Sequence, residues 1–215
     1  MLKKIKVTFI SQQQTEWLKK FIVKLNKKFK NKYSFKIEKN YKKVSKQDLV
    51  FLIYVYDILP KSFLKKNKLT LITHCSKLPR DKGFAPMQNQ ILKGKNKIFI
   101  SIAEAINKVD SGNIYLQNSF NLKGTELYED IRKIQKMEII KIIESFLVKY
   151  PKIKSKKQTG KATYNKKRNI NDSKLNIKKS IHNQFQLLRI CDNEKFPAFF
   201  IYKKKKYILK IFKEN

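Results

Sequence analysis

The sequence has few of the residues that cross-link or stiffen a small domain. Among its 215 residues there are two cysteines, five prolines, five glycines and one tryptophan. Cys75 and Cys191 lie far apart, and neither belongs to a Cys-x-x-Cys pair or to another metal-binding spacing. This pattern argues against a disulfide framework and against a thiolate metal site, and it fits a reducing compartment.

Acidic residues are also scarce: 16 Asp and Glu stand against 51 Lys and Arg, which gives a formal net charge of +35. Such a balance commonly indicates nucleic acid, anionic membranes or polyanionic substrates. Yet only four basic residues are arginines, the side chain that reads phosphates and bases best, and the lysines are spread over the whole chain. We therefore attribute the lysine excess first to an AT-rich genome. We expect attraction for phosphorylated ligands without a specific nucleic acid partner.

Long apolar runs are absent as well. No run reaches the roughly 18 residues that a membrane-spanning helix requires, so we expect no membrane partner. The chain begins Met-Leu-Lys-Lys-Ile-Lys and passes directly into a strand pattern, which predicts a cytoplasmic protein. The 15 Phe and 10 Tyr residues indicate a globular chain that is long enough to bury a core without disulfides or metals.

The first half of the chain alternates strand and helix patterns. Short β runs are predicted at Lys4–Ile10 and Tyr33–Glu38, with an amphipathic helix between them at residues 15–29. Leu49–Val55 and Leu69–His74 show no polar alternation, which is typical of strands covered on both faces. The pattern predicts an α/β fold with a doubly wound, mostly parallel, Rossmann-like sheet.

The second half predicts further strands and helices and a small C-terminal helix-plus-hairpin appendage. We assign residues 1–150 to a catalytic domain, 151–175 to a linker or draped loop, and 176–215 to the C-terminal element. The predicted elements are a helix at Met87–Leu92, strands at Lys97–Glu104 and Ile114–Leu122, a long helix from Gly124 towards Tyr150, a helix at Ser180–Cys191, and a hairpin of Phe196–Tyr202 and Lys206–Phe212.

Two stretches carry candidate chemistry. The buried strand Leu69–His74 ends on a histidine and enters a loop with Pro79, Gly83 and Pro86. Because open α/β sheets bind ligands at the carboxyl ends of their strands, His74 is a candidate site residue, although a histidine there is more often structural. The second stretch holds Asp110 in an Asp-Ser-Gly turn between two strands, which by itself is an ordinary turn sequence.

Taken together, the two stretches resemble the formyltransferase superfamily, which includes methionyl-tRNA formyltransferases and sugar N-formyltransferases. The family's His-x-Ser-x-Leu-Pro…Gly-x-x-Pro loop is matched by His74, Ser76, Leu78, Pro79, Gly83 and Pro86. Its Gln-x-x-Ile-Leu-x-Gly helix end is matched by Gln88, Ile91, Leu92 and Gly94, and its turn by Asp110, Ser111, Gly112 and Ile114. Beyond residue 160, the residues around Tyr164, Arg168, Gln184 and Pro197 are similar to the tail of short, sugar-type members.

The resemblance implies specific roles. It casts His74 as base and stabiliser of the tetrahedral intermediate, and Asp110 as the group that orients the imidazole and helps to remove the amine proton. It places 10-formyltetrahydrofolate, the formyl donor, against Ile58, Leu59, Pro60 and Leu64. It implies contacts with the acceptor from Ser76, Pro79, Gly83, Tyr164 and Arg168. No metal is expected.

The chain departs from the family pattern at one important position. The family carries an Asn two residues before the catalytic His, where it helps to hold the oxyanion, and this chain has Ile72. An apolar side chain cannot donate a hydrogen bond, and loss of one oxyanion donor typically costs about 10²–10³ in kcat. Lesser departures are Lys77, where Asp is common, and Asp81, where Gly is common.

The resemblance leaves three functions open. The favoured one is formylation of the amine of a nucleotide-linked amino sugar. The resemblance implies a full C-terminal β-barrel for an ordinary methionyl-tRNA formyltransferase, and these 215 residues leave only a short hairpin element after Pro151. The second is a truncated methionyl-tRNA formyltransferase, which the net charge favours. The third is a degenerate, non-catalytic protein of the same fold, which Ile72 motivates. A homodimer is compatible with each of them.

Overall fold

The computed structural model describes residues 3–13 and 16–214. It contains a six-stranded sheet in the order β2-β1-β3-β4-β6-β7. These strands are β1 (Ile5–Ile10), β2 (Tyr33–Glu38), β3 (Leu49–Leu52), β4 (Leu69–His74), β6 (Lys97–Glu104) and β7 (Ile114–Asn121). The pairs β1–β2, β1–β3 and β3–β4 are parallel, whereas β4 and β6 are antiparallel. The sheet and its flanking helices form the α/β, Rossmann-like fold predicted from the sequence, with a mostly parallel sheet.

Five α-helices and two pairs of short strands accompany this sheet in the described part of the fold. The helices are α1 (Glu16–Lys28), α2 (Lys61–Lys66), α3 (Pro86–Leu92), α4 (Tyr128–Lys149) and α5 (Ile181–Leu188). Two further pairs of short strands are β5 (Lys82–Gly83) with β8 (Tyr164–Asn165), and β9 (Ala198–Tyr202) with β10 (Lys205–Leu209). Among the described residues, none of the helices is long and apolar enough to cross a membrane.

The chain divides into two compact units. The first comprises residues within 1–74, 101–117 and 142–160, and the second comprises residues within 75–100, 118–141 and 161–215. These units are defined by contacts within the chain. The division predicted from the sequence, with boundaries at residues 150 and 175, assigns functional roles and stays a prediction.

The core of the first unit is built around Phe9, a fully buried residue of β1. Its ring lies 6.0 Å from that of Phe21 on α1 and 5.3 Å from that of Phe51 on β3, measured between centroids. Phe51 in turn meets Phe146 of α4 edge to face at 5.6 Å. Aromatic pairs at these separations add to the burial of apolar surface, so β1 and β3 are fixed firmly in the sheet.

The second unit contains a buried charged pair. Arg189, which follows α5, is completely buried, and its guanidinium donates to the carbonyl oxygen of Glu126 at 2.9 Å and to the Glu126 carboxylate at 2.8 Å. Nearby, Leu175, Leu188, Cys191 and Ala198 form an apolar cluster. A buried guanidinium needs such partners, because an unpaired charge is costly to bury. The tail of the chain is therefore packed as part of a folded unit.

Candidate active site

His74 is the last residue of β4, at the carboxyl end of a strand that is parallel to β3. Its backbone is paired with Ser101 of β6, and only 8% of the residue is exposed. The sheet thus fixes the imidazole at the kind of strand end where α/β proteins bind ligands.

Asp110 lies in the loop between β6 and β7, and the fold brings it to His74. The Nδ1 atom of His74 and the Oδ2 atom of Asp110 are 3.6 Å apart, and both side chains are about nine-tenths buried, at 9% and 11% exposure. This distance is longer than a hydrogen bond. In the absence of substrate, catalytic contacts are often this loose, and they tighten in the complex. The geometry suits a carboxylate that orients an imidazole.

The turn that carries Asp110 is tightly constrained. Asp110 has a φ of 50°, in the left-handed region that only a few residue types tolerate, Asp among them. At Gly112, an added Cβ would lie 2.1 Å from the carbonyl oxygen of Glu104, so no side chain fits there. The side-chain amide of Gln158 donates to the carbonyl oxygens of Asp110 and Gly112, both at 2.8 Å. Glycine at position 112 is therefore required by the close approach of the neighbouring strand.

Ile72, which occupies the position of the family's oxyanion Asn, belongs to an apolar environment. It is half-buried against a cluster whose buried members include Leu52, Leu59 and Phe63. Leu64 packs against the same cluster. Isoleucine therefore fits the packing at this position, and it supplies no hydrogen-bond donor.

The four residues predicted to contact the folate lie after β3 in two different settings. Leu59 is 7% exposed and Leu64 is half-buried, both in the apolar cluster just described. Pro60 is exposed and directly precedes α2. Ile58 is 76% exposed, and it lines an open cleft. Of the four, Ile58 and Pro60 are accessible to a ligand.

The cleft beside Ile58 has a volume of about 530 Å³. Its walls come from the loops that follow β1, β2 and β3. In the sheet, β2 and β3 lie on opposite sides of β1, so the strand order reverses at this point. Open α/β sheets bind ligands at such a switch in strand order. The other lining residues are Gln12, Lys39, Asn40, Tyr41, Lys42 and Asp57.

Hydrogen bonds between side chains and backbone connect the loops that line the cleft. The Gln12 side chain accepts a hydrogen bond from the Tyr56 amide at 2.8 Å and donates to the Asp57 carboxylate at 2.5 Å. Lys39 and Lys42 are exposed. The cleft therefore presents two ammonium groups and one carboxylate that is already hydrogen-bonded, a balance that favours an anionic ligand.

The predicted acceptor residues lie in the second unit. Ser76 is buried, and its hydroxyl donates to the carbonyl oxygen of Arg80 at 2.7 Å, which closes the loop after His74. Pro79 and Gly83 lie on the part of this loop that pairs with the segment around Tyr164: the carbonyl oxygen of Pro79 accepts from the Thr163 amide, and β5 pairs with β8 in parallel. The structure thus brings Pro79, Gly83 and Tyr164 together.

Tyr164 and Arg168 differ in their surroundings. Tyr164 is 59% exposed, and the ammonium group of Lys82 lies 5.7 Å from the centre of its ring. Arg168 donates to the carbonyl oxygen of Asp172 at 2.8 Å, within its own turn. Tyr164 therefore offers an exposed aromatic ring to a ligand, whereas the guanidinium of Arg168 is partly engaged in the turn.

Sequence reasoning missed three features of these regions. Gln158 falls in a polar stretch interpreted as a linker, and no local signal marks it. Lys39 and Lys42 are hidden among many lysines. Cys75, next to His74 in the chain, has its pKa raised to about 11 by burial, despite a hydrogen bond from Gln135. Its thiol therefore stays protonated and is not a nucleophile at neutral pH.

Across residues 3–13 and 16–214, no three His, Cys, Asp or Glu side chains gather in a group that could hold a metal ion.

Comparison with known proteins places this geometry in a family. Residues 3–159 match the family model described as formyl transferase. The methionyl-tRNA formyltransferase of Orientia tsutsugamushi (strain Boryong) is 31% identical over 124 residues, which cover 55% of this chain and 39% of that protein. The chain spans less than half the length of the curated relatives it matches.

Two solved structures are similar over nearly the whole chain. A methionyl-tRNA formyltransferase from Clostridium thermocellum has a TM-score of 0.82 at 22% identity, over 98% of this chain and 94% of that chain. A sugar N-formyltransferase from Shewanella sp FDAARGOS_354 has a TM-score of 0.75 at 16% identity, over 98% of both chains. At these identities the likeness concerns the fold alone. The match of residues 3–159, which include the strand end at His74 and the turn at Asp110, shows that this chain belongs to the formyl transferase family.

Proposed function

We propose that this chain transfers the formyl group of 10-formyltetrahydrofolate to the primary amine of a nucleotide-linked amino sugar. The observation that carries the proposal is the His74–Asp110 pair, 3.6 Å apart and nearly buried at the carboxyl end of β4. Acyl transfer to an amine needs a proton acceptor within reach of the attacking nitrogen, and this pair can be that acceptor.

The proposed reaction passes through a tetrahedral intermediate. The neutral amine attacks the formyl carbon and forms a new C–N bond, and the carbonyl oxygen takes up negative charge. The bond from that carbon to N10 of the folate then breaks. One amine proton leaves through His74, which Asp110 orients, and N10 of the departing tetrahydrofolate takes up a proton. The products are the formamide and tetrahydrofolate.

The cleft lined by Ile58 supports a folate donor at this edge of the sheet. The glutamate part of a folate carries carboxylates, and Lys39 and Lys42 offer ammonium groups for them. Ile58 and Pro60 provide accessible apolar surface for the rings of the ligand. We propose that the pterin and benzoyl rings lie against this segment.

The acceptor assignment rests on the second unit. Tyr164 presents an exposed aromatic ring, and the exposed Arg80 supplies positive charge on the loop that pairs with the Tyr164 segment. Lys82 of the same loop is buried, and its ammonium group lies against the Tyr164 ring. A base or sugar ring stacked on tyrosine, with a diphosphate beside cations, is an arrangement that such groups favour. The proposal includes the cytoplasmic location expected from the sequence, and it is compatible with a homodimer.

Methionyl-tRNA as acceptor is the second candidate function. It is favoured by the names of the curated relatives and by the charge of +35. Chain length does not separate the two candidates, because the C. thermocellum structure, which carries the tRNA-related name, is matched over 94% of its length.

Turnover of defined acceptors tests the proposal. UDP-, dTDP- and GDP-linked amino sugars are incubated with 10-formyltetrahydrofolate, and a mass gain of one formyl group identifies the acceptor. We expect His74→Ala and Asp110→Ala each to lower kcat by at least about two orders of magnitude, because each removes part of the proton acceptor.

His182→Ala is the matched control, since His182 is the other histidine of the chain and is exposed on α5. Near-wild-type turnover in His74→Ala or Asp110→Ala would place the reaction elsewhere. A folded wild-type protein that binds neither a folate nor an acceptor would support the non-catalytic alternative.

A further inference from the structure

Gln158 owes its position to backbone pairing. An isolated antiparallel bridge joins Ile114, the first residue of β7, to Lys156, with amide-to-carbonyl distances of 2.8 and 2.9 Å. In antiparallel pairing, the residue two beyond one partner faces the residue two before the other. Gln158 is therefore set opposite Gly112, in the turn that carries Asp110.

The Gln158 amide group uses both of its donors on that turn. Its Nε2 atom lies 2.8 Å from the carbonyl oxygen of Asp110 and 2.8 Å from that of Gly112. A primary amide has two N–H groups, so both are engaged. The Oε1 atom on the same side chain is buried, and it accepts no hydrogen bond from any part of the chain that the structure describes. The donors, rather than the acceptor, therefore hold this side chain in place.

The turn that carries Asp110 is stabilised by these hydrogen bonds, and its backbone is in a strained conformation. Asp110 is held at a φ of 50°, and Gly112 is pressed against the carbonyl oxygen of Glu104. Left-handed backbone at a residue with a side chain costs free energy, less at Asp than at most residues, and contacts from the surroundings stabilise it. Since the carboxylate is one short side chain away from this backbone, its distance to His74 depends on the turn.

We propose that Gln158 is a positioning residue of the formyl-transfer site, which holds the Asp110 turn so that the carboxylate faces the His74 imidazole. This inference rests on the proposed function for its kinetic consequence. The structural part stands on the bridge at Ile114, the two hydrogen bonds and the strained backbone. Gln158 itself contacts backbone carbonyls and touches none of the groups that react.

Two substitutions separate positioning from packing. Gln158→Met keeps the volume but removes both donors, and Gln158→Glu keeps the shape but turns carboxylate oxygens towards two carbonyl oxygens. We expect kcat to fall by about tenfold to a hundredfold in both, as for misplaced catalytic groups, with KM for donor and acceptor changed less than about twofold. Gln184→Met is the matched control, because Gln184 also donates to backbone carbonyls, but in the exposed turn before α5.

A readout without turnover uses the two histidines. The ring Cε1–H signals of His74 and His182 are recorded by NMR at fixed pH, and His182 is the internal reference. We expect Gln158→Met to shift the His74 signal and to leave that of His182 unchanged, while thermal unfolding confirms a folded protein. Gln184→Met should leave both signals unchanged.

The outcomes distinguish the inference from the proposed function. An active wild-type protein whose Gln158 variants keep both kcat and the His74 signal overturns the inference and leaves the function standing. A fall in kcat with an unchanged His74 signal also overturns it, because Asp110 has then not moved. If no acceptor is formylated at all, the proposed function fails, and the His74 signal in Gln158→Met still decides whether Gln158 positions the pair.

Discussion

At the scale of single residues, Ile72 has the largest consequence for the chemistry. It stands two residues before His74 on β4 and packs against the apolar cluster around Leu59. The neighbouring Thr73 hydroxyl lies 3.5 Å from the carbonyl oxygen of Leu52, a long and weak contact. The Ser76 hydroxyl already donates its one hydrogen to the carbonyl oxygen of Arg80. In the proposed reaction, a donor for the oxyanion therefore has to come from Thr73 or from a backbone amide.

Ile72→Asn tests whether the oxyanion site is only weakened. If it is, the substitution restores a donor beside His74, and we expect kcat to rise or to stay unchanged. The buried amide is expected to lower the free energy of unfolding by roughly 1–3 kcal/mol if it finds no partner. Steady-state kinetics and urea unfolding measure the two effects.

Ile72→Val is the control for this substitution, since it changes volume without adding a donor. A folded Ile72→Asn protein with much lower kcat than Ile72→Val would mean that the site is built around the apolar residue and that another group holds the oxyanion.

At the scale of elements, the strands of the sheet were predictable from two patterns. β3 is covered on both faces and reads as a plain apolar run, whereas β2 alternates buried and exposed residues in its first half. Tyr33–Glu38 and Lys97–Glu104 were placed with their observed bounds, and Leu69–His74 ends on the predicted histidine. The predicted strand Leu49–Val55 ends earlier, at Leu52. Tyr54, with a φ of 54°, turns the chain there. The apolar run overestimates the strand because hydrophobic residues mark burial, and Ile53 is buried although it lies beyond the last paired residue, Leu52.

Long-range pairing was not predictable from local patterns. The β5–β8 ladder joins Lys82–Gly83 to Tyr164–Asn165, two short polar segments without periodicity. The position of Gln158 likewise follows from the bridge at Lys156. The pairing of His74 with Asp110 was expected only through the family resemblance, because residue spacing does not show how a loop folds back. The roles of these residues stay predictions.

At the scale of the whole molecule, buried acids make stability depend on alkaline pH. Burial raises the pKa of Cys75 to about 11, and it raises the pKa of Tyr33 and of Tyr128 to about 12. The folded state therefore holds these protons more tightly than the unfolded state. Their contribution to stability is complete below the unfolded pKa, and it is lost as pH rises towards the folded pKa.

The Cys75 contribution can be isolated with Cys75→Ala. Lysines also titrate at alkaline pH and relieve self-repulsion, so the absolute melting temperature mixes opposing effects. We therefore expect the difference in unfolding free energy between wild type and Cys75→Ala to shrink between pH 9 and about 11, by up to about 1.4 kcal/mol per pH unit. Urea unfolding at fixed ionic strength measures it. A difference that stays constant over this range would contradict the buried, protonated thiol.

At the same scale, the net charge of +35 gives a way to distinguish the two candidate acceptors by the salt dependence of their binding. Few carboxylates are available to pair with the lysines, and four consecutive exposed lysines, 203–206, form the turn of the β9–β10 hairpin and the start of β10. Lysines distributed in this way attract any polyanion through counterion release, an interaction that salt weakens steeply. A shaped pocket for a small acceptor depends far less on salt.

We therefore expect tRNA binding to be nonspecific and to collapse between about 50 and 200 mM salt, whereas binding of a nucleotide-linked amino sugar changes little. The sugar nucleotide carries only two phosphates, and most of its affinity comes from placed polar groups and from stacking. Paired salt titrations measure this, one with charged initiator tRNA and one with a sugar nucleotide that is turned over, and elongator tRNA is the control for specificity. If initiator tRNA still binds tightly at about 200 mM salt and is preferred over the elongator, methionyl-tRNA replaces the sugar nucleotide as the favoured acceptor, because nonspecific phosphate attraction gives neither salt resistance nor discrimination.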